Sequence, residues 1–136
     1  MEQQKMFTEV HQDILQQMTE VLTALRTVRI SRAGLEEFDI HDLLVSALVD
    51  AQIPHIREYR FAERCRADLW VNGIVIEVKK SRPPMASLMN QVQRYASQRN
   101  VRAVIVVLER SVHLPAIISG KPVKVLSLNA LWGIAV

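Results

Sequence analysis

One cysteine, Cys65, is all this chain has, which excludes an internal disulfide and any zinc or iron–sulfur centre built on several cysteines. No apolar run is long enough to span a bilayer. The opening residues, Met1-Glu2-Gln3-Gln4-Lys5, lack the basic-then-apolar layout of a signal peptide, so cytoplasmic residence is expected. The sequence has no Gly-x-x-x-x-Gly-Lys phosphate loop, no Gly-x-Ser-x-Gly elbow and no His-Glu-x-x-His pair. The enzyme classes that depend on those elements therefore find no support. His11, His55 and His113 are scattered and read as structural or surface residues. Aromatics are scarce, and Trp70 and Trp132 read as packing residues rather than base-stacking platforms. Internal repeats, low-complexity tracts and a convincing linker are absent too.

What is present suits one soluble globular domain with a real core: 136 residues, 49% hydrophobic and 23% charged. The net charge of +3 hides an asymmetry. Residues 1–56 hold four basic and nine acidic side chains, whereas residues 57–136 hold thirteen basic and five acidic. Arg57, Arg60, Arg64, Arg66, Lys80, Arg82, Arg94, Arg99 and Arg102 crowd one half of the chain. Such a surface attracts polyanions, nucleic acid first among them.

The apolar positions predict the elements. Phe7, Val10, Ile14, Val21, Leu25 and Val28 form a near-heptad stripe on a helix over 3–30. Residues 1–33 are read as a helical arm and possible homo-oligomerisation element, ahead of an α/β domain over 34–136. A second helix runs from about Asp39, as N-cap, to Ala51. Strands follow at 55–62, 66–71 and 74–80, the last two joined by Asn72-Gly73, a strong hairpin signal. A helix starts at Ser81-Arg82-Pro83-Pro84 and runs to about Arg99. Strands at 103–108 and 123–128 complete a mixed central sheet, with a short helix at 114–118 between them.

Chemistry enters at Asp68 and Glu77-Val78-Lys79. Strand residues two apart share a face, so Glu77 and Lys79 project together. If the flanking strands form a hairpin, Asp68 reaches the same spot. Two carboxylates make a hard-oxygen site suited to magnesium or manganese, and a lysine beside them can face a phosphate or orient a water. The surrounding segment, Ile74 to Lys79, is apolar enough to be a central strand buried on both faces. Charges placed there are costly unless something binds them. Gln91 and Tyr95 sit one helical turn apart on the next helix. Glu58 is either a partner for a nearby arginine, the favoured reading, or an acid lining the groove.

These residues resemble the PD-(D/E)XK nuclease superfamily over roughly residues 37–108. Gln91-x-x-Arg94-Tyr95 is similar to the Q-x-x-x-Y element of its RecB-like and phage exonuclease branch. The resemblance implies a restriction-endonuclease-like αβββαβ core around one metal site, in a small phage or prophage nuclease. It implies that Asp68, Glu77 and the Val78 carbonyl bind Mg2+ or Mn2+. His41, with Glu37 in reserve, would assist from the preceding helix. Lys79 would orient the attacking water, and Gln91 and Tyr95 would shape the pocket. Arg66, Lys80, Arg82 and Arg94 are the expected contacts to DNA phosphates, which position a strand without reading its sequence. The sequence departs from the pattern in having Arg66-Ala67, and no proline, before Asp68. The function expected is metal-dependent hydrolysis of DNA, directed by structure or ends rather than by sequence. A non-catalytic nucleic-acid-binding or assembly protein on the same fold is the alternative.

Overall fold

The computed structural model describes residues 2–29, 37–81 and 83–128, with side chains over 12–29, 39–81 and 83–128. Two helices, α1 (Glu2–Leu25) and α2 (Glu37–Asp50), precede an antiparallel meander of β1 (Ile56–Ala62), β2 (Cys65–Val71) and β3 (Ile74–Lys79). Helix α3 (Met85–Ala96) then crosses over to β4 (Ala103–Leu108), parallel to β3. The two-residue β5 (Ile117–Ile118) and β6 (Lys121–Ser127) finish the sheet. Its order is β1-β2-β3-β4-β6-β5, with β6 parallel to β4 and β5 antiparallel to β6.

The sheet has a core on each face. On one side Leu69, Ile74, Ile76, Val78, Ile105 and Val107 pack against Met18, Leu22 and Leu25 of α1 and Ile40, Leu44 and Leu48 of α2. On the other, Val75, Val104, Val106 and Leu108 pack against Leu88, Val92, Tyr95 and Ala96 of α3. Burial on both faces is why β4 reads as a continuous apolar run and β3 as one interrupted only by Glu77 before Lys79 ends it. From Ile14 to Val28 the α1 stripe is buried within this chain. The Phe7 and Val10 side chains, Arg82, the Glu37 side chain and Trp132 lie outside the described residues.

Local chemistry sets the boundaries. Asn72 (φ 46) and Gly73 (φ 88) both take positive φ, as a tight two-residue hairpin between β2 and β3 requires. A Cβ on Gly73 would lie 2.8 Å from the Arg102 side chain, which is itself held by Gln17 and the Asn72 carbonyl. Gly73→Ala is therefore expected to lower stability by roughly 1–3 kcal/mol in urea unfolding. A loss below about 0.5 kcal/mol, as at an ordinary surface site, would contradict this.

Four expectations are corrected. Helix α1 stops at Leu25, short of the expected 30, with Val28 buried just beyond it. Residues 114–118 are not a helix: Ile117 and Ile118 pair with Pro122 and Lys121 across Ser119 (φ 51) and Gly120 (φ 76). That is a second tight hairpin, made by Ser-Gly. Helix α2 starts before Asp39, which stands in its first turn rather than at its cap. Helix α3 starts after the prolines, with Pro84 at its N-cap, and stops at Ala96 rather than near Arg99. Beyond its end, the Lys121 ammonium donates to the carbonyls of Ala96, Gln98 and Val101, at 2.9, 3.0 and 2.6 Å. A cation satisfies the orphan carbonyls of a helix C-terminus.

Candidate active site

The β2–β3 ladder ends early. Val71, Trp70 and Leu69 pair with Ile74, Val75 and Ile76, and no pairing between the strands extends past Ile76. Instead the Asp68 carboxylate accepts the Val78 amide at 2.7 Å. The two strands thus fork, with Asp68 bridging the gap. β2 also changes face at this point. Cys65 and Ala67 belong to the α3-side core, while Leu69 and Val71 belong to the α1/α2-side core, although all four have odd numbers. A regular strand cannot do this, because residues two apart share a face. Across on β1, Glu58 takes φ 53 and is unpaired opposite Asp68, although the register runs on unshifted from Arg57↔Leu69 to Tyr59↔Ala67 and shifts only between Arg60 and Ala62. Irregularities of this kind re-aim a side chain, and the one re-aimed here is Asp68.

Glu77 and Lys79 alternate with Ile76 and Val78, and so face α3. The Glu77 side chain is buried. Its Oε2 accepts the Gln91 side-chain amide at 2.8 Å and lies 3.4 Å from Lys79 Nζ. Its Oε1 is buried with no hydrogen-bond partner among the described residues. Burial first, and then the charge of Asp68, push the Glu77 carboxyl from 4.5 up to about 8, against the pull of Lys79. Without a further cation the group therefore holds a proton at neutral pH.

The Gln91 amide also donates to the Tyr95 hydroxyl at 3.0 Å, which in turn donates to the Arg66 carbonyl at 3.0 Å. One chain of bonds therefore joins the buried acid on β3 to α3 and then to β2, two residues before Asp68. Burial, followed by the charge of Glu77, pushes the Tyr95 phenol up, so it remains a donor. Behind it, Phe61 meets Tyr95 edge-on at 5.2 Å, and Trp70 stacks on Phe61 at 5.2 Å.

From the opposite face α2 contributes His41, buried, with Nε2 3.7 Å from Asp68 Oδ2. That is too long for a hydrogen bond, and Nε2 has no other partner among the described residues. The structure therefore brings together Asp68, Glu77, Lys79, Gln91, Tyr95 and His41. Val78 joins them through its backbone. A strand residue points its N–H and C=O to the same edge, so the Val78 carbonyl also faces the fork.

The expected phosphate contacts are more dispersed. Arg66 is exposed but paired with Glu58 at 2.8 Å, the arginine-partner role favoured for that acid. Arg94 is exposed at the end of α3, its guanidinium 5.5 Å from the Tyr95 ring centroid. Lys80 is half-buried just past β3. Two further arginines serve the fold: Arg57 pairs with Asp42 at 2.6 Å and Arg102 with Asp13 at 3.3 Å. Lys121, which the sequence did not single out, does likewise beneath α3.

The donors present fit a hard divalent cation. No three acidic, histidine or cysteine side chains converge on one point among the described residues. Two carboxylates and a backbone carbonyl do face the fork, and magnesium commonly takes only one or two carboxylates with waters. A cation there would satisfy Glu77 Oε1 and relieve the repulsion between the two acids. Comparison with protein families, curated proteins and solved structures returned no match. No helix among the described residues is long and apolar enough to cross a membrane.

Proposed function

We propose that this chain is a metal-dependent nuclease of the PD-(D/E)XK kind, hydrolysing phosphodiester bonds in DNA. The observation that carries the reading is Glu77: a buried carboxylate with an unpartnered oxygen, between a second carboxylate and an ammonium, where two strands fork. A fold does not retain such a group cheaply for packing, because a buried polar oxygen left without a partner costs about 1–3 kcal/mol, and more once it is ionised. The succession α2-β1-β2-β3-α3-β4 supports the restriction-endonuclease-like arrangement.

Asp68, Glu77 and the Val78 carbonyl are the groups that would hold Mg2+ or Mn2+, with His41 beside Asp68. When bound, such an ion lowers the pKa of a water and screens the scissile phosphate. Lys79 orients the attacking water and offsets charge building on phosphorus. Gln91 fixes the Glu77 carboxylate, and Tyr95 locks α3 to the strand that carries Asp68. The aromatic stack behind Tyr95 and the double attachment of Gln91 hold these groups in place before substrate arrives. No element among the described residues resembles a base-reading module, so substrate structure or ends direct cutting. A homo-oligomer formed through α1 would use a surface other than its buried Ile14–Val28 stripe.

The substrate class is tested with supercoiled, linear duplex, single-stranded and branched DNA in magnesium. The expected result is a preference among these shapes that survives randomisation of the sequence. Cutting confined to one short sequence would reject it.

A further inference from the structure

On the outer corner of the sheet, Arg60 of β1 and Arg66 of β2 are direct cross-strand partners. Like charges placed opposite one another destabilise a sheet unless an anion lies between them. Arg64 joins them from the turn, held at φ 59. With Glu58 and Cys65 these arginines line a hollow of about 550 Å³. The lining thus carries three arginines and one acid. Glu58 engages only Arg66, and neither Arg60 nor Arg64 has an ion-pair partner among the described residues. The Arg66–Glu58 pair is itself well exposed on both sides, at 64% and 57%. So exposed a pair contributes little, and a better anion can displace it.

The position of the hollow gives it meaning. Tyr59 and Ala67 belong to the α3-side core, so their neighbours Arg60 and Arg66 point to the opposite face. That is the face from which His41 reaches Asp68. Arg66 precedes Asp68 by two residues, about 7 Å along a strand. An anionic chain lying in the fork would therefore reach the hollow with its next charges.

We infer that Arg60, Arg64 and Arg66 form a phosphate subsite that holds the nucleic-acid backbone beside the fork, with Glu58 occupying Arg66 until the strand arrives. The subsite deepens the nuclease reading and names where the strand leaves the fork. A guanidinium matches phosphate bidentately, which a lysine at these positions cannot do.

The test is binding, in chelator so that nothing is cut, of a fluorescent oligothymidylate of about twenty nucleotides. Arg60→Ala and Arg64→Ala are each expected to weaken binding about five- to ten-fold and to reduce the salt dependence by about 0.7, the contribution of one single-strand phosphate contact. Glu58→Gln strengthens binding by freeing Arg66. Lys124→Ala, an exposed cation on β6, leaves it unchanged. Inorganic phosphate added as competitor separates the sources. Displacement at millimolar concentration, abolished in Arg60→Ala, means the hollow also takes free phosphate; no displacement restricts it to the backbone. Absence of binding by the unsubstituted protein, or affinity and salt dependence untouched by Arg60→Ala and Arg64→Ala, overturns the subsite. If both arginines matter but no metal-dependent cutting exists, the enzyme reading fails and the subsite stands. If cutting depends on Lys79 while the arginines do nothing, the subsite alone fails.

Discussion

Glu77→Gln is expected to make the protein more stable in chelator at pH 8, while abolishing the stabilisation that magnesium gives the unsubstituted protein. The folded-state pKa of Glu77 is raised to about 8 from an ordinary 4.5. Between those values the native protein holds a proton that the unfolded chain has released. Stability from this group is therefore fully present below pH 4.5, declines as pH rises, and is lost above about pH 8. The difference between pH 5 and pH 8 is on the order of a few kcal/mol. In thermal midpoint that is of the order of 10 °C for a chain of this size. Glutamine imitates the protonated acid: it fills the same space and still accepts from Gln91, but it has no charge to desolvate. The melting curve of Glu77→Gln, relative to the unsubstituted protein, should therefore flatten between pH 5 and pH 8. Magnesium reverses the comparison, because a ligand that binds only the folded state stabilises it, and the variant has lost a carboxylate donor. Parallel pH profiles for the two proteins would show that Glu77 is not held as described.

Lys79→Ala is expected to lower cleavage by about 10²–10⁴, the range for one positioned group acting on the transition state. Binding of DNA should change little. Lys79 is 3.4 Å from Glu77 Oε2 and 27% exposed, so it reaches both the acid and solvent-borne substrate. Its removal has a second consequence. Lys79 opposes the upward shift of Glu77, so without it the acid holds its proton to still higher pH. The magnesium concentration needed for half-maximal cutting should rise, and higher pH should restore part of the loss. Loss of affinity for DNA with an unchanged single-turnover rate would instead make Lys79 a phosphate contact only.

Much of this site was legible before any coordinates. The segment from Ile74 to Val78, apolar but for Glu77, marked a strand buried on both faces, so the acid within it needed a reason. Asn72-Gly73 fixed the hairpin that brings Asp68 near, and helical spacing put Gln91 and Tyr95 on one face. What could not be read is where the ladder stops. The face change at Asp68 depends on positive φ at Glu58 and on a carboxylate replacing a backbone partner, and neither has a sequence signature. Ser119-Gly120 did carry a turn signal, but the apolar run before it resembled a helix. The fate of the arginines was equally hidden. Arg57 and Arg102 look like their neighbours in sequence, yet each is tied to an acid more than a dozen residues away. Lys121 lies between Gly120 and Pro122, where nothing foretells three carbonyls beneath a distant helix.

The fork also explains why two opposite faces of the sheet share one site. A regular ladder would leave His41 and Gln91 separated by a closed sheet. Parting β2 from β3 lets Asp68 touch the α2 side while Glu77 and Lys79 stay on the α3 side.

The most direct test is single-turnover cleavage of linear and supercoiled DNA by the purified protein in magnesium, in manganese and in chelator, beside Asp68→Ala, Glu77→Gln and Lys79→Ala. The account predicts cutting that requires the metal and is lost in all three variants, with DNA binding retained. Undiminished cutting by Lys79→Ala, or salt-sensitive binding with no cutting in either metal, would contradict it.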